Sequence, residues 1–456
     1  MPPYQISTNK GSPKMIRKIS TVSMLALLVL ACTHDPLFDP LDYQLESRLQ
    51  ELSPDGTLSH FILPDSDDFN SIPQGVGNRL TAEKVALGKM LFYETGLAQD
   101  AIYDAGKGTY SCSTCHVPSA GFMPGRIQGI ADGGVGFGLN GESRGMMNGY
   151  NESDLDVQGA RALSLLNVAY VTNTTWSGQF GARYANEGTE YAWTDIREVN
   201  HMGLDGLEAQ NIEGTIIHRM RVSPGLLDTL GYIPMFDTAF PEFPESERYN
   251  RVTVSLALSA YLRTLLANEA PFQLWLKGDR EAMDDQQKAG AALFFGKAGC
   301  YRCHKGASLN SVEFHALGVL DLYQTGGFNT SPEDIRNYGR GGFTGKTEDM
   351  RKFKVPGIYN MADSPFYFHG GSKHSLHDVV EYFNKGIPEN PDVPGSQISS
   401  FFHPLNLSEQ EVQGLTEFLK KGLHDPNLQR YVPTSVLSGN CFPNNDPLSR
   451  AHLGCD

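Results

Sequence analysis

The sequence predicts a mainly α fold built from two similar halves with long loop insertions. Three observations lead there. The pattern C-x-x-C-H occurs twice, at Cys112-Ser113-Thr114-Cys115-His116 and at Cys300-Tyr301-Arg302-Cys303-His304. A shorter pattern, G-x-x-L-aromatic-aromatic, precedes each copy, as Gly88 to Tyr93 and as Gly290 to Phe295. A stretch of helical apolar spacing then closes each half.

The helices follow in order. Thr81 supplies a start signal for the helix that ends in the first aromatic pair, and Asp284 or Asp285 does so for the second. The first closing helix is expected from Val252 to Leu266, with Leu256, Ala260, Leu262 and Leu265 apolar. The second follows Ser408, with Val412, Leu415, Phe418 and Leu419 at helical spacing. Ile127 to Tyr150 is rich in glycine and has little periodicity, so it reads as loop. The halves divide between Pro271 and Asp285, where Lys277-Gly278-Asp279-Arg280 interrupts the pattern. This gives an N-terminal extension over residues 33–74, an N-terminal domain over 75–275, a C-terminal domain over 276–430 and a cysteine-containing tail over 431–456.

C-x-x-C-H is the attachment signature of c-type haem. Its two thiols add to the haem vinyl groups and its histidine reaches the iron. A Cys₄ zinc site would have to pair the motifs across 188 residues and would not need a histidine after each. A thioredoxin-type dithiol would sit on a β-α unit, which the pattern does not show. Cys112, Cys115, Cys300 and Cys303 are therefore expected to attach two covalently bound haem c groups, with His116 and His304 as proximal iron ligands. Each half then has the layout of a small cytochrome c-like domain with insertions.

The chain has 456 residues and a formal charge of −15, which argues against nucleic acid and anionic lipid as partners. Residues 1–32 read as a signal peptide: Lys10, Lys14, Arg17 and Lys18 precede an apolar run from Met24 to Ala31. That run is too short to span a membrane. Val29-Leu30-Ala31-Cys32 resembles a bacterial lipobox, so the protein is expected to be exported, periplasm-facing and anchored through a lipid on Cys32. Export favours a disulfide between the remaining pair, Cys441 and Cys455. Closing a loop of that length would be worth about 3 kcal/mol.

Further segments carry a resemblance. They are Leu166-Asn167-Val168-Ala169, Trp176-Ser177-Gly178, Leu207-Glu208-x-Gln210, Phe353-Lys354-Val355-Pro356, and Pro365 to Gly371 containing Phe368-His369. With the haem motifs they make residues 75–430 resemble the bacterial di-haem cytochrome c peroxidases and their relatives of the MauG type. The resemblance implies two haem domains meeting at a common interface. The N-terminal haem would react with hydrogen peroxide. The C-terminal haem would relay electrons from a small cytochrome c or cupredoxin. Homodimers are common in the family.

The resemblance also assigns residues. Trp176 would stand between the haems, and Gln210 falls in the family's L-E-x-Q segment. The family places a glutamate just before a methionine about ten residues after that glutamine; here Met220 is preceded by His218-Arg219. His218 is the substitute base and Arg219 the stabiliser of a leaving hydroxide, with Glu208 and Glu213 as other carboxylates nearby. No histidine lies between His116 and His201, so the first haem should be open at rest. For the second haem the family's ligand position falls on Phe383, and its neighbour Tyr382 is the favoured sixth ligand. Met350, Met361, His374 and His377 are the alternatives. The family commonly holds calcium between its domains, bound by an asparagine six residues before the one matched by Asn167. That position is Arg161, whose guanidinium would replace the ion, with carbonyls near Asp363 to Pro365 completing a site if calcium binds. The favoured reading is a peroxide reductase. A MauG-like oxidase of a partner protein and a non-catalytic di-haem electron carrier are the alternatives.

Overall fold

A computed structural model describes residues 39–455, so the leader and Cys32 lie outside the described residues. The principal helices are α1 (Pro40–Leu52), α2 (Ala82–Tyr93), α3 (Gly206–Ile217), α4 (Arg251–Arg263), α5 (Asp285–Phe295), α6 (Leu376–Lys385), α7 (Glu409–Glu417) and α8 (Pro447–Leu453). Among the described residues none is long and apolar enough to cross a membrane.

Local capping explains where these helices start. Thr81 accepts the Lys84 N–H to open α2, and Asp284, not Asp285, accepts the Gln287 N–H to open α5. Ser408 and Glu411 form a capping box at α7. The first closing helix stops at Arg263, short of Leu266, where Thr264 caps it. The second passes at Phe418 into a wider π turn over Phe418–Gly422.

The duplication seen in the sequence has a packing basis. A Cβ added to Gly88 would lie 1.9 Å from the Ala257 carbonyl oxygen, and one added to Gly290 would lie 2.0 Å from that of Gly414. Only glycine lets α2 cross α4, and α5 cross α7, at that closeness. The aromatic pairs that follow, Phe92-Tyr93 and Phe294-Phe295, are buried at the two crossings. One continuous apolar core runs through both halves.

The chain ends are exchanged between the halves. Helix α1 buries Leu45 and Leu49 and lies on α5, where Lys288 pairs with Asp39 at 2.7 Å and Asp42 at 2.9 Å. Arg48 also donates to the Phe295 carbonyl at 2.8 Å. The C-terminal tail instead folds onto the first C-x-x-C-H turn. Ser111 and Thr114 donate to the Pro443 carbonyl at 3.0 and 3.1 Å. Asp446 pairs with the buried Arg144 at 3.2 Å. The expected disulfide joins Cys441 to Cys455 across this tail.

Among the described residues, regular strand structure is confined to two-residue antiparallel ladders. One pairs Gly134–Val135 with Gly145–Met146 inside the glycine-rich loop. The other pairs Phe314–His315 with Phe353–Lys354, just beyond the second motif.

Candidate active site

Both C-x-x-C-H segments form a single 3₁₀ turn, at Cys112–Thr114 and Cys300–Arg302. The two thiols of each motif, four in all, form no disulfide. The His116 Nδ1 lies 3.1 Å from the Phe122 carbonyl, and the His304 Nδ1 lies 3.0 Å from the Leu309 carbonyl. A carbonyl only accepts, so Nδ1 carries the proton and Nε2 is left as the donor atom toward a metal. Burial pulls both imidazoles down to about 4, which keeps them neutral, the form that can bind a metal. Burial also pushes the Cys112 and Cys300 thiols up to about 12.

The first motif opens on a cavity of about 420 Å³. Cys112, Cys115 and His116 form one part of its wall, and Phe92, Leu166, Leu207, Met220, Leu258 and Leu262 supply apolar surface. A Cβ at Gly129 would come 2.5 Å from the Cys115 sulfur, so the loop after the motif closes on it at a glycine. These features suit a flat apolar group held by two thioethers. Among the described residues no cluster of three or more His, Cys, Asp or Glu side chains forms a site for a bare metal ion.

Helix α3 supplies the polar face of the cavity. Gln210, Gly214 and His218 are spaced one turn apart and all line it. A Cβ on Gly214 would meet nothing nearer than the His218 ring at 4.0 Å, so the glycine leaves room between the two polar side chains. His218 Nδ1 lies 3.0 and 3.1 Å from the two oxygens of Asp156. The carboxylate fixes the proton on Nδ1 and leaves Nε2 basic. Burial alone would pull His218 down, but the charge and hydrogen bond of Asp156 together outweigh it and raise the imidazole pKa above its usual value.

Arg219 does not join this face. Its backbone is in the left-handed region at φ 53°, which turns the side chain to Asp132 at 2.6 Å and the Asp154 carbonyl at 2.8 Å. Nor do the neighbouring carboxylates line the cavity. Glu208 is buried in an ion pair with Arg263 at 2.8 Å, and Glu213 faces elsewhere on the helix. Asp156 was missed in the sequence because it sits in irregular chain with no periodicity or motif. Its only cue would have been a carboxylate within reach of His218.

Trp176 lines the cavity from the side of the second half. Its ring meets Phe353 and His369 edge-on, with centroids 6.3 and 6.1 Å away. Phe353 and His369 stack at 3.6 Å, and Asp321 holds His369 Nε2 at 2.9 Å. Lys354, to which the sequence reading gave no site role, is buried in the same wall, and burial pulls its amine down to about 8. Its backbone N–H donates to the Trp176 carbonyl at 2.8 Å. The wall therefore belongs to both halves.

Around the second motif, Phe294 packs beside His304 with centroids 6.3 Å apart. Tyr382 lies in an aromatic cluster with Phe368, Phe383 and Phe402. Its hydroxyl donates to the Leu317 carbonyl at 2.8 Å, and burial holds the phenol well above its usual pKa. His374 and His377 are exposed. Met361 lies in the turn Met361–Asp363, and Met350 packs against Gly341.

Residues 82–281 match the model of the di-haem cytochrome c peroxidase family. The methylamine utilization protein MauG of Methylorubrum extorquens is 31% identical over 351 residues, covering 77% of this chain and 81% of that protein. This chain belongs to the di-haem cytochrome c peroxidase and MauG family. The cytochrome c551 peroxidase of Pseudomonas aeruginosa is 25% identical over 354 residues, covering 76% of this chain and 86% of the relative. The crystal structure of a MauG-like protein associated with microbial copper homeostasis covers 80% of this chain and 95% of its own, with a TM-score of 0.54 at 24% identity, a likeness of fold. Membership brings two c-type haems. Relatives carry both peroxidase and MauG names, so membership alone leaves the choice between those activities open.

Proposed function

We propose that this di-haem protein reduces hydrogen peroxide, with its N-terminal haem as the reaction site and its C-terminal haem as the relay from a small cytochrome c or cupredoxin. The observation that carries the reading is the Asp156–His218 pair, whose imidazole lines the cavity. When bound, the haem would supply the redox-active iron for peroxide reduction, held by Cys112, Cys115 and His116. The chain must then move a proton between the peroxide oxygens. His218 is suited to that, because Asp156 holds one nitrogen protonated and the other free. The role resembles the oriented imidazole of other acid–base sites. Gln210, two turns back on the same face, is placed to orient the bound oxygen species. Arg219 acts indirectly, since Asp132 and the Asp154 carbonyl fix the turn that presents His218.

Trp176 is the proposed bridge between the haem sites, and Tyr382 the proposed sixth ligand of the second haem. That ligation requires the phenol to release Leu317. The net chemistry is balanced by the donor: peroxide takes electrons from it and protons from solvent, and leaves as water. Export to the periplasm fits the Cys441–Cys455 disulfide, since such bridges persist in oxidising compartments.

A specific observation keeps a second reading alive. The expected carboxylate is replaced by His218, and a relative named MauG is 31% identical. Peroxide titration of the purified di-haem protein with a reduced small cytochrome separates the two. Rapid donor oxidation supports the peroxidase. A long-lived oxidised spectrum with slow donor turnover supports oxidation of a partner protein. No reaction with peroxide overturns both.

A further inference from the structure

Arg161 is buried, 2% exposed, at the junction of the two halves. Its guanidinium is ringed by oxygen. Nε donates to the Phe366 carbonyl at 2.9 Å. Nη1 donates to the carbonyls of Arg126 at 2.6 Å and Ile127 at 3.2 Å. Nη2 donates to the Pro124 carbonyl at 2.9 Å and to the Ser364 hydroxyl. The oxygens come from the loop after the first haem motif and from the segment after Phe353-Lys354-Val355-Pro356. No carboxylate is among them.

We infer that the Arg161 guanidinium is the cation that joins the two halves of this protein, and that calcium has no site there. Several facts support this. Convergent carbonyl oxygens are a negative concavity that must hold a positive charge or donors. A guanidinium offers five N–H donors in a fixed fork, and here five oxygens receive them. Calcium takes six to eight oxygens at about 2.3–2.6 Å and usually draws on carboxylates. Here nitrogen atoms stand between the oxygens and no carboxylate offsets a second cation. A calcium ion would have to expel the side chain and would then lack anionic ligands. Burial pulls the guanidinium down to about 9, so it stays charged at neutral pH.

The same residue reaches into the inter-haem wall. The Arg161 N–H donates to the His369 carbonyl at 2.8 Å. Its own carbonyl accepts the Trp176 indole N–H at 2.6 Å. Arg161 is thus a positioning residue, holding the two halves and Trp176 in one arrangement without an exchangeable ion. This conclusion stands on the local geometry and does not depend on which oxidative activity the protein has.

The test uses the purified di-haem protein. It is incubated with EGTA, desalted, and compared with an untreated sample by elemental analysis, haem absorption and thermal unfolding, with and without added calcium. The expected result is calcium far below one per chain in both samples, with unchanged spectra and unfolding midpoint. Calcium near one per chain, removed by EGTA with a fall in midpoint, would overturn the inference. A second measurement uses Arg161→Asn. Its midpoint should fall by several degrees in EGTA, because buried carbonyls lose their donors, and should recover partly with calcium or free guanidinium. An Arg161→Asn protein as stable as the parent without any added cation would also overturn it. The metal analysis of the parent protein decides independently of how the variant folds.

Discussion

The indole N–H of Trp176 donates to the backbone carbonyl of Arg161 at 2.6 Å, so the aromatic ring in the wall of the cavity beside Cys112 and His116 is fixed by a residue bonded to both halves. Trp176→Phe keeps most of the ring and removes the N–H. Stability should fall by about 1 kcal/mol, the worth of one hydrogen bond. If the ring carries electrons between the haems, oxidation of a reduced donor by peroxide should slow while haem content and both haem spectra stay unchanged. Stopped-flow mixing of the reduced protein with peroxide measures this. An unaltered transfer rate would leave Trp176 as a packing residue only.

His218 should set the acid limb of the pH profile. A base must be neutral to accept a proton, so turnover should rise with pH as His218 loses its own. Asp156 favours the protonated imidazole and raises its pKa above the usual value near 6.5, so the half-rise should lie above that pH. In Asp156→Asn the support for the protonated form is lost, and the limb should move to lower pH. His218→Gln should lose the limb and reduce kcat/KM for peroxide by about 100-fold or more. Steady-state rates across pH with a saturating donor check both. A profile in Asp156→Asn identical to the parent would remove the pair from the mechanism.

The parts of the fold that were legible in the sequence are those with a local physical cause. Gly88 and Gly290 repeat because two helix crossings need a residue without Cβ. Thr81, Asp284 and Ser408 mark helix starts because their oxygens satisfy exposed N–H groups. His218 was found because it occupies a family motif position with the wrong residue type. The rest depended on contacts distant in sequence. Asp156 approaches His218 across 62 residues of chain, and nothing in the irregular segment around it predicts where it turns. Arg219 adjoins His218 in sequence yet points to Asp132, because a positive φ reverses the backbone between them. The exchange of chain ends was equally hidden, since α1 and the tail contact halves that they do not adjoin.

Tyr382 offers a test with two distinguishable outcomes. Its hydroxyl is bonded to the Leu317 carbonyl and its ring is packed among Phe368, Phe383 and Phe402. If the phenol ligates the second iron, Tyr382→Phe should alter the absorption and electron-paramagnetic-resonance signals of that haem alone. If the spectra are unchanged and stability falls by about 1 kcal/mol, the hydroxyl serves only Leu317. Met361 then becomes the next ligand to replace, because His374 and His377 are exposed.

The C-terminal tail should control the first haem turn through one buried ion pair. Asp446 takes Arg144 at 3.2 Å, and it also accepts the Gly136 N–H at 3.0 Å and the Ser449 hydroxyl at 2.6 Å. Arg144 in turn holds the carbonyls of Ile130 at 2.6 Å and Ala131 at 3.0 Å in the loop that follows the motif. Both partners are nearly inaccessible, so Asp446→Ala would strand a buried guanidinium. That should cost about 3–5 kcal/mol in denaturant unfolding. The change should be felt locally, as faster proteolytic nicking of the tail and a perturbed spectrum of the first haem, with the second unaltered. Reducing the Cys441–Cys455 disulfide in the parent should cost about 3 kcal/mol through the loop it closes, without stranding any charge. Asp446→Ala should therefore disturb the first haem more than reduction does. The reverse order would mean that the disulfide, and not the Arg144 pair, holds the tail against the turn.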